Sequence, residues 1–202
     1  MLISHFQHRY AKGTSSRVIL ALHGTGGTEN DLIPLAKNID PNASILSPRG
    51  QVSENGMPRF FRRLAEGVFD VPDLILRTNE LADWLDVARQ HYGFDRSNLV
   101  AVGYSNGANI ASSLMLLRPE SLTTAVLLRP MVPMVPEALP DLSGKRVLIA
   151  AGAFDPIAPA SQVAALEKLL RDCRASVTTH VAEAAHGLVK EDVDTAIAWL
   201  GE

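Results

Sequence analysis

The apolar positions of this chain fall into short runs bounded by turn residues, with helically spaced stretches between them. Residues 18–22, 44–46, 99–102, 125–128, 147–151 and 176–181 have the length of strands. Several of these runs are continuous rather than alternating, the pattern of strands buried on both faces. Residues 77–91 carry Leu81, Trp84, Leu85 and Ala88 at helical spacing, and 106–117 place Ile110, Leu114 and Leu117 on one face. Residues 161–172 repeat Val163, Leu166, Leu169 and Leu170, and 190–200 group Val193, Ile197 and Leu200. Strands alternating with helices predict β-α-β units: an α/β fold with a mostly parallel central sheet and helices on both faces. Residues 3–10 read as an antiparallel edge strand.

One segment breaks this rhythm. Residues 47–72, SPRGQVSENGMPRFFRRLAEGVFDVP, are rich in Pro, Gly and charge. They far exceed the usual connection of about 4–6 residues. The expectation is a cap-like insertion over a substrate pocket, within one domain spanning residues 1–202.

Composition narrows the classes. Hydrophobic residues are 47% of the chain and charged residues 20%, which allows an ordinary core. The formal net charge of −3 gives no phosphate-binding face, so nucleic acid is not an expected partner. Cys173 is the one cysteine, so no intramolecular disulfide can form, which suits a reducing compartment. Residues 1–10 have neither the basic start nor the apolar run of a signal peptide. No apolar stretch approaches the roughly 20 residues needed to span a bilayer. The expected setting is the cytoplasm, with no membrane span.

Gly103-Tyr104-Ser105-Asn106-Gly107 follows a strand pattern and opens a helical one. Gly-x-Ser-x-Gly there forms a tight turn that lifts a serine hydroxyl above the carboxyl end of the strand. The glycines remove side chains that would clash across the turn. The plainer alternative is a strand-to-helix turn with a serine cap. A serine hydroxyl needs a base, and only His180 and His186 follow it. His180 lies inside a strand pattern. His186 sits beyond that strand, before Gly187, and is the better base. In this chain order the acid lies between serine and histidine. Asp155 ends the 147–151 strand in Gly152-Ala153-Phe154-Asp155-Pro156 and is the candidate, with Asp141 and Glu183 as spares. The strand at 18–22 ends in His23-Gly24-Thr25-Gly26-Gly27. The backbone amides of Thr25 and Asn106 are the candidate oxyanion donors. No lysine–serine or lysine–threonine pair follows the glycines, which counts against a phosphate loop.

These four motifs resemble the phospholipase/carboxylesterase family of α/β-hydrolases, across nearly the whole chain. Ser47-Pro48-Arg49-Gly50, Asn55-Gly56 and Arg59-Phe60-Phe61-Arg62-Arg63 are similar to a bacterial carboxylesterase branch related to acyl-protein thioesterases. The resemblance implies an α/β-hydrolase fold and hydrolysis of short carboxylic esters through Ser105, Asp155 and His186. It implies a small-molecule ester substrate, no metal, no cofactor and a possible homodimer. Asn106 departs from the glutamine usual after the nucleophile in acyl-protein thioesterases, which argues against depalmitoylation. Dienelactone hydrolases share the fold but use cysteine where Ser105 stands. Thioester or lysophospholipid hydrolysis by the same three residues is the enzymatic alternative. A ligand-binding protein on a hydrolase fold is the non-enzymatic one.

Other residues are open to plainer readings. Arg59, Arg62 and Arg63 either meet an anionic substrate or, as favoured here, solvate and pack the cap. Phe60, Phe61 and Phe69 line a pocket or pack locally. Met131 and Val132 belong to a proline-broken apolar loop that is pocket wall, dimer contact or core. Asp70 and Asp73 read as turn residues. Scattered histidines and the absence of a cysteine pair give no metal site.

Overall fold

The computed structural model describes residues 1–202 throughout. In chain order the strands are β1 (His8–Ala11), β2 (Val18–Leu22), β3 (Ser44–Pro48), β4 (Val52–Glu54), β5 (Met57–Arg59), β6 (Arg63–Ala65), β7 (Val68–Phe69), β8 (Leu99–Tyr104), β9 (Thr124–Leu128), β10 (Arg146–Gly152) and β11 (Ser176–Ala182). The helices are α1 (Ile33–Ile39), α2 (Val71–Tyr92), α3 (Asn106–Leu117), α4 (Ala160–Asp172) and α5 (Lys190–Gly201). Seven strands form the main sheet in the order β1-β3-β2-β8-β9-β10-β11, and every pairing but β1–β3 is parallel.

The continuous apolar runs are explained by burial on both faces. Along β2, Val18, Leu20 and Leu22 enter one core with α2, α3 and α4, while Ile19 and Ala21 enter another with α1 and α5. Val147, Ile149 and Ala151 of β10 face the first core, and Leu148 and Ala150 the second. A strand's side chains alternate between faces, so a sheet covered twice needs apolar residues at successive positions.

Strand order reverses between β2 and β8. The chain moves outward from β2 to β3, then returns to β8 and continues the other way. Such a switch point opens a crevice at the carboxyl ends of the two strands. Those ends carry the glycine-rich loop after β2 and the serine turn after β8.

Three details differ from the sequence pattern. Residues 3–10 are not one strand: Ile3–His5 is a 3₁₀ turn and pairing with β3 begins at His8. Helix α2 starts at Val71 rather than residue 77, because Asp70 caps it by accepting the Asp73 N–H. Pro72 falls in the first turn, where its missing N–H has no intrahelical partner to lose. Residues 47–72 include two antiparallel hairpins, β4–β5 and β6–β7. Asn55 and Gly56, at φ 52° and 82°, supply the first hairpin's left-handed turn. No helix is long and apolar enough to cross a membrane.

Candidate active site

Ser105 sits between β8 and α3 at φ 52° and ψ −113°, an uncommon conformation for a residue with a Cβ. The turn closes because two glycines let backbone pass at van der Waals range. A Cβ on Gly107 would collide with the Leu22 carbonyl, and one on Gly103 with the Gly107 carbonyl. The Ser105 N–H donates to the Leu128 carbonyl at 2.8 Å, which ties the turn to β9.

His186 follows β11 in a short loop. Its Nε2 lies 2.9 Å from Ser105 Oγ and its Nδ1 lies 2.8 Å from Asp155 Oδ2. An ionised carboxylate only accepts, so Nδ1 carries the proton and Nε2 accepts from the serine hydroxyl. The Asp155 side chain is fully buried and the His186 side chain 18% exposed. Asp155 Oδ1 also accepts the Ile157 and Ala158 N–H groups at 2.8 and 2.9 Å, which fixes the carboxylate plane. Gly152 lets the end of β10 approach the histidine loop, since a Cβ there would strike the Ala184 and Ala185 carbonyls. Of the other candidates, His180 lies in β11 beside Glu191 at 3.3 Å, and Asp141 accepts the Ser143 N–H and pairs with Arg174.

The Thr25 and Asn106 amides donate to no other protein group. Both residues are braced by their side chains. Arg59 Nη1 donates to Thr25 Oγ1 at 2.6 Å, and the Phe60 N–H donates to Asn106 Oδ1 at 2.7 Å. His23 is completely buried against Phe60. Its Nδ1 donates to the Gly24 carbonyl at 2.7 Å and its Nε2 accepts the Gly50 N–H at 2.9 Å. Burial holds its pKa below the usual 6.5, against the Gly24 hydrogen bond.

A cleft of about 40 Å³ opens beside Ser105, with Arg59, Arg63, Phe69, Met131 and Ile157 among its walls. Met131 therefore reaches the cleft. Phe60 and Phe61 do not: they are 3% and 0% exposed in the core. Val132 is half-buried against that core, its N–H donating to Gln162. Of the reading that Arg59 solvates and packs the cap, the solvation is corrected and the packing holds. It is only 3% exposed and pairs with Glu54 at 3.2 Å, and Glu54 also pairs with Arg63 at 2.9 Å. Burial, then the neighbouring Arg63, lowers the Arg59 pKa. Asp73 is likewise more than a turn residue, for it accepts the Arg62 N–H at 2.7 Å while 4% exposed. A larger hollow of about 430 Å³ lies at the amino ends of the strands, lined by Ser15, Arg17, Asp40, Ser97 and Arg146. It lies at the opposite end from the switch-point crevice where open α/β sheets bind ligands.

Some supporting residues escaped the sequence reading. The Tyr104 hydroxyl donates to the His186 carbonyl at 3.1 Å, and Asn109 Oδ1 accepts the Met131 N–H at 2.8 Å. Arg129 is fully buried beside the histidine loop. A lone charge in the run Thr-Ala-Val-Leu-Leu-Arg-Pro-Met was the available signal, because a buried guanidinium must be paired.

Comparison with known proteins agrees with this architecture. The chain matches the dienelactone hydrolase family over residues 69–198. The putative hydrolase MhqD of Bacillus subtilis (strain 168) is 47% identical over 196 residues, covering 97% of this chain and 98% of that protein. The crystal structure of the Bacillus cereus carboxylesterase superposes with a TM-score of 0.96 at 50% identity, covering 98% of this chain and 94% of that one. A carboxylesterase from Mesorhizobium loti gives 0.92 at 33% identity, over 99% and 95% of the two chains. The serine that separated this chain from dienelactone hydrolases does not place it outside their family. The chain belongs to the dienelactone hydrolase family and is an α/β-hydrolase, in keeping with its phospholipase/carboxylesterase-type motifs.

Proposed function

We propose that this protein is a serine carboxylesterase that hydrolyses esters of small acyl groups through an acyl-enzyme. The observation that carries the reading is the unbroken hydrogen-bond chain Ser105–His186–Asp155, with links of 2.9 and 2.8 Å. Ser105 Oγ attacks the ester carbonyl as His186 Nε2 takes its proton. The developing oxyanion rests on the Thr25 and Asn106 amides. His186 returns the proton to the departing alcohol. Water then cleaves the acyl-enzyme by the same route. Asp155 holds the imidazole tautomer and stabilises its cation.

Two features bear on the substrate. The cleft at Ser105 holds only about 40 Å³, which favours small acyl groups over long chains. The hairpins of residues 47–72 form its cap. Arg59 and Arg63 also place two guanidinium groups against the one Glu54 carboxylate at the cleft wall. An acyl chain ending in a carboxylate is thereby favoured over its neutral isostere.

The test is a panel of p-nitrophenyl esters, choline esters, acyl thioesters and lysophospholipids, with succinate and glutarate half-esters beside their alkyl counterparts. Ser105→Ala is expected to lower kcat for p-nitrophenyl acetate by at least about a thousandfold without changing the folded state. Full activity in that variant removes Ser105 from the mechanism. Activity confined to thioesters or lysophospholipids replaces the carboxylesterase reading with the other acyl-transfer chemistry.

A further inference from the structure

Arg129 takes no part in the chemistry described above, yet it ties the loop that carries the base to β10 and to the start of α5. All five N–H donors of its guanidinium are used. Nε donates to the Ala185 carbonyl at 3.1 Å and Nη2 to the Gly187 carbonyl at 3.0 Å, so the group straddles His186. Nη1 donates to the Ala150 carbonyl at 3.1 Å, on β10. Nη1 and Nη2 together form a fork onto Asp192, with both distances 2.8 Å. Asp192 Oδ2 also accepts the Val189 N–H at 2.8 Å, where the histidine loop enters α5. Both side chains of the pair are buried, at 0% and 1% exposure.

The preceding residue completes the arrangement. Leu128 accepts the Ser105 N–H, as described above, so adjacent residues at the end of β9 hold the nucleophile and the base. Arg129 adopts φ 54° to do this, a left-handed conformation that a residue with a Cβ adopts only at a cost in backbone strain. Stability alone is a weak reason for the pair, since buried ion pairs are often no better than apolar packing.

We propose that Arg129, oriented by Asp192, is a positioning residue that sets the imidazole of His186 at bonding distance from Ser105 Oγ. This rests on the reading of Ser105 and His186 as nucleophile and base. Tyr104 holds the carbonyl of residue 186 itself, so three consecutive carbonyls, 185 to 187, are fixed by two side chains. A lysine at position 129 keeps the charge opposite Asp192 but cannot bridge both flanking carbonyls and the carboxylate at once.

The experiment compares wild type and Arg129→Lys on p-nitrophenyl acetate, with rates expressed per site titrated by a fluorophosphonate. The expected result is a folded variant whose kcat falls about tenfold to a hundredfold while KM stays within about twofold. A folded variant with wild-type kcat, or with its loss confined to KM, overturns the proposal. Should Arg129→Lys fail to fold, Asp192→Asn carries the same two outcomes, because it turns one acceptor of the fork into a donor at constant volume. Failure of the underlying reading looks different: the wild-type protein itself is not labelled at Ser105.

Discussion

Burial of the His23 imidazole makes the loop after β2 sensitive to pH. The folded protein keeps this ring neutral, with its pKa below the ordinary 6.5. An unfolded chain takes up a proton near that ordinary value. The folded state therefore binds fewer protons, so this contribution is complete above about pH 6.5 and is lost as pH falls through the folded pKa. The expected outcome is a lower urea midpoint at about pH 5.5 than at about pH 7.5. The difference should shrink in His23→Gln, whose amide oxygen can still accept the Gly50 N–H but does not titrate. An equal pH dependence in both proteins counts against His23. Ser105, Asp155 and His186 were legible in sequence because each sits in a turn motif whose small neighbours have a steric purpose. Arg129 showed only as a lone charge in an apolar run; its role did not, because three of its partners are backbone carbonyls, which leave no mark on sequence, and the fourth, Asp192, is 63 residues away.

At the scale of elements, helix α2 and the hairpins before it depend on each other through Asp73. Its buried carboxylate accepts the Arg62 N–H and lies 3.6 and 3.5 Å from the Arg62 and Arg77 side chains. Removing it takes away a hydrogen bond from the Arg62 N–H to a charged acceptor, worth about 1.5–3 kcal/mol. Asp73→Ala is thus expected to lower unfolding free energy by that amount. Its kinetic effect should fall on KM more than kcat, because it loosens the cleft wall and leaves the serine–histidine contact alone. A kcat loss with unchanged KM and stability contradicts this. The alternating elements around the sheet were legible because burial on both faces imposes unbroken apolar runs. The hairpins were not, although Asn55-Gly56 is a strong turn signal. Strands of two and three residues are too short to display a period.

Across the whole molecule, the proposed nucleophile, acid and base come from the ends of β8, β10 and β11, with serine and histidine 81 positions apart. No local segment can hold the site alone. Esterase activity and tertiary structure should therefore disappear together in denaturant, within one transition. Cys173 offers an independent clock. It is 1% exposed, and burial raises its thiol pKa, so a disulfide reagent should label it only when the chain opens. Rapid labelling of the active, folded protein would show that α4 and β11 separate without global unfolding. Activity lost well before unfolding would point instead to early release of the histidine loop.

The roof of the cleft and the two amides beneath it are mechanically one piece. Pro58, Arg59 and Phe60 bond to Gly26, Thr25 and Asn106 in turn. Under the proposed mechanism, a bulky acyl chain that wedges the roof upward is expected to drag both amides out of line with the carbonyl it presents. Such a compound is expected to bind and stall, so that chain-length discrimination falls on turnover rather than on occupancy and inhibition assays find oversized esters to be inhibitors instead of poor ligands.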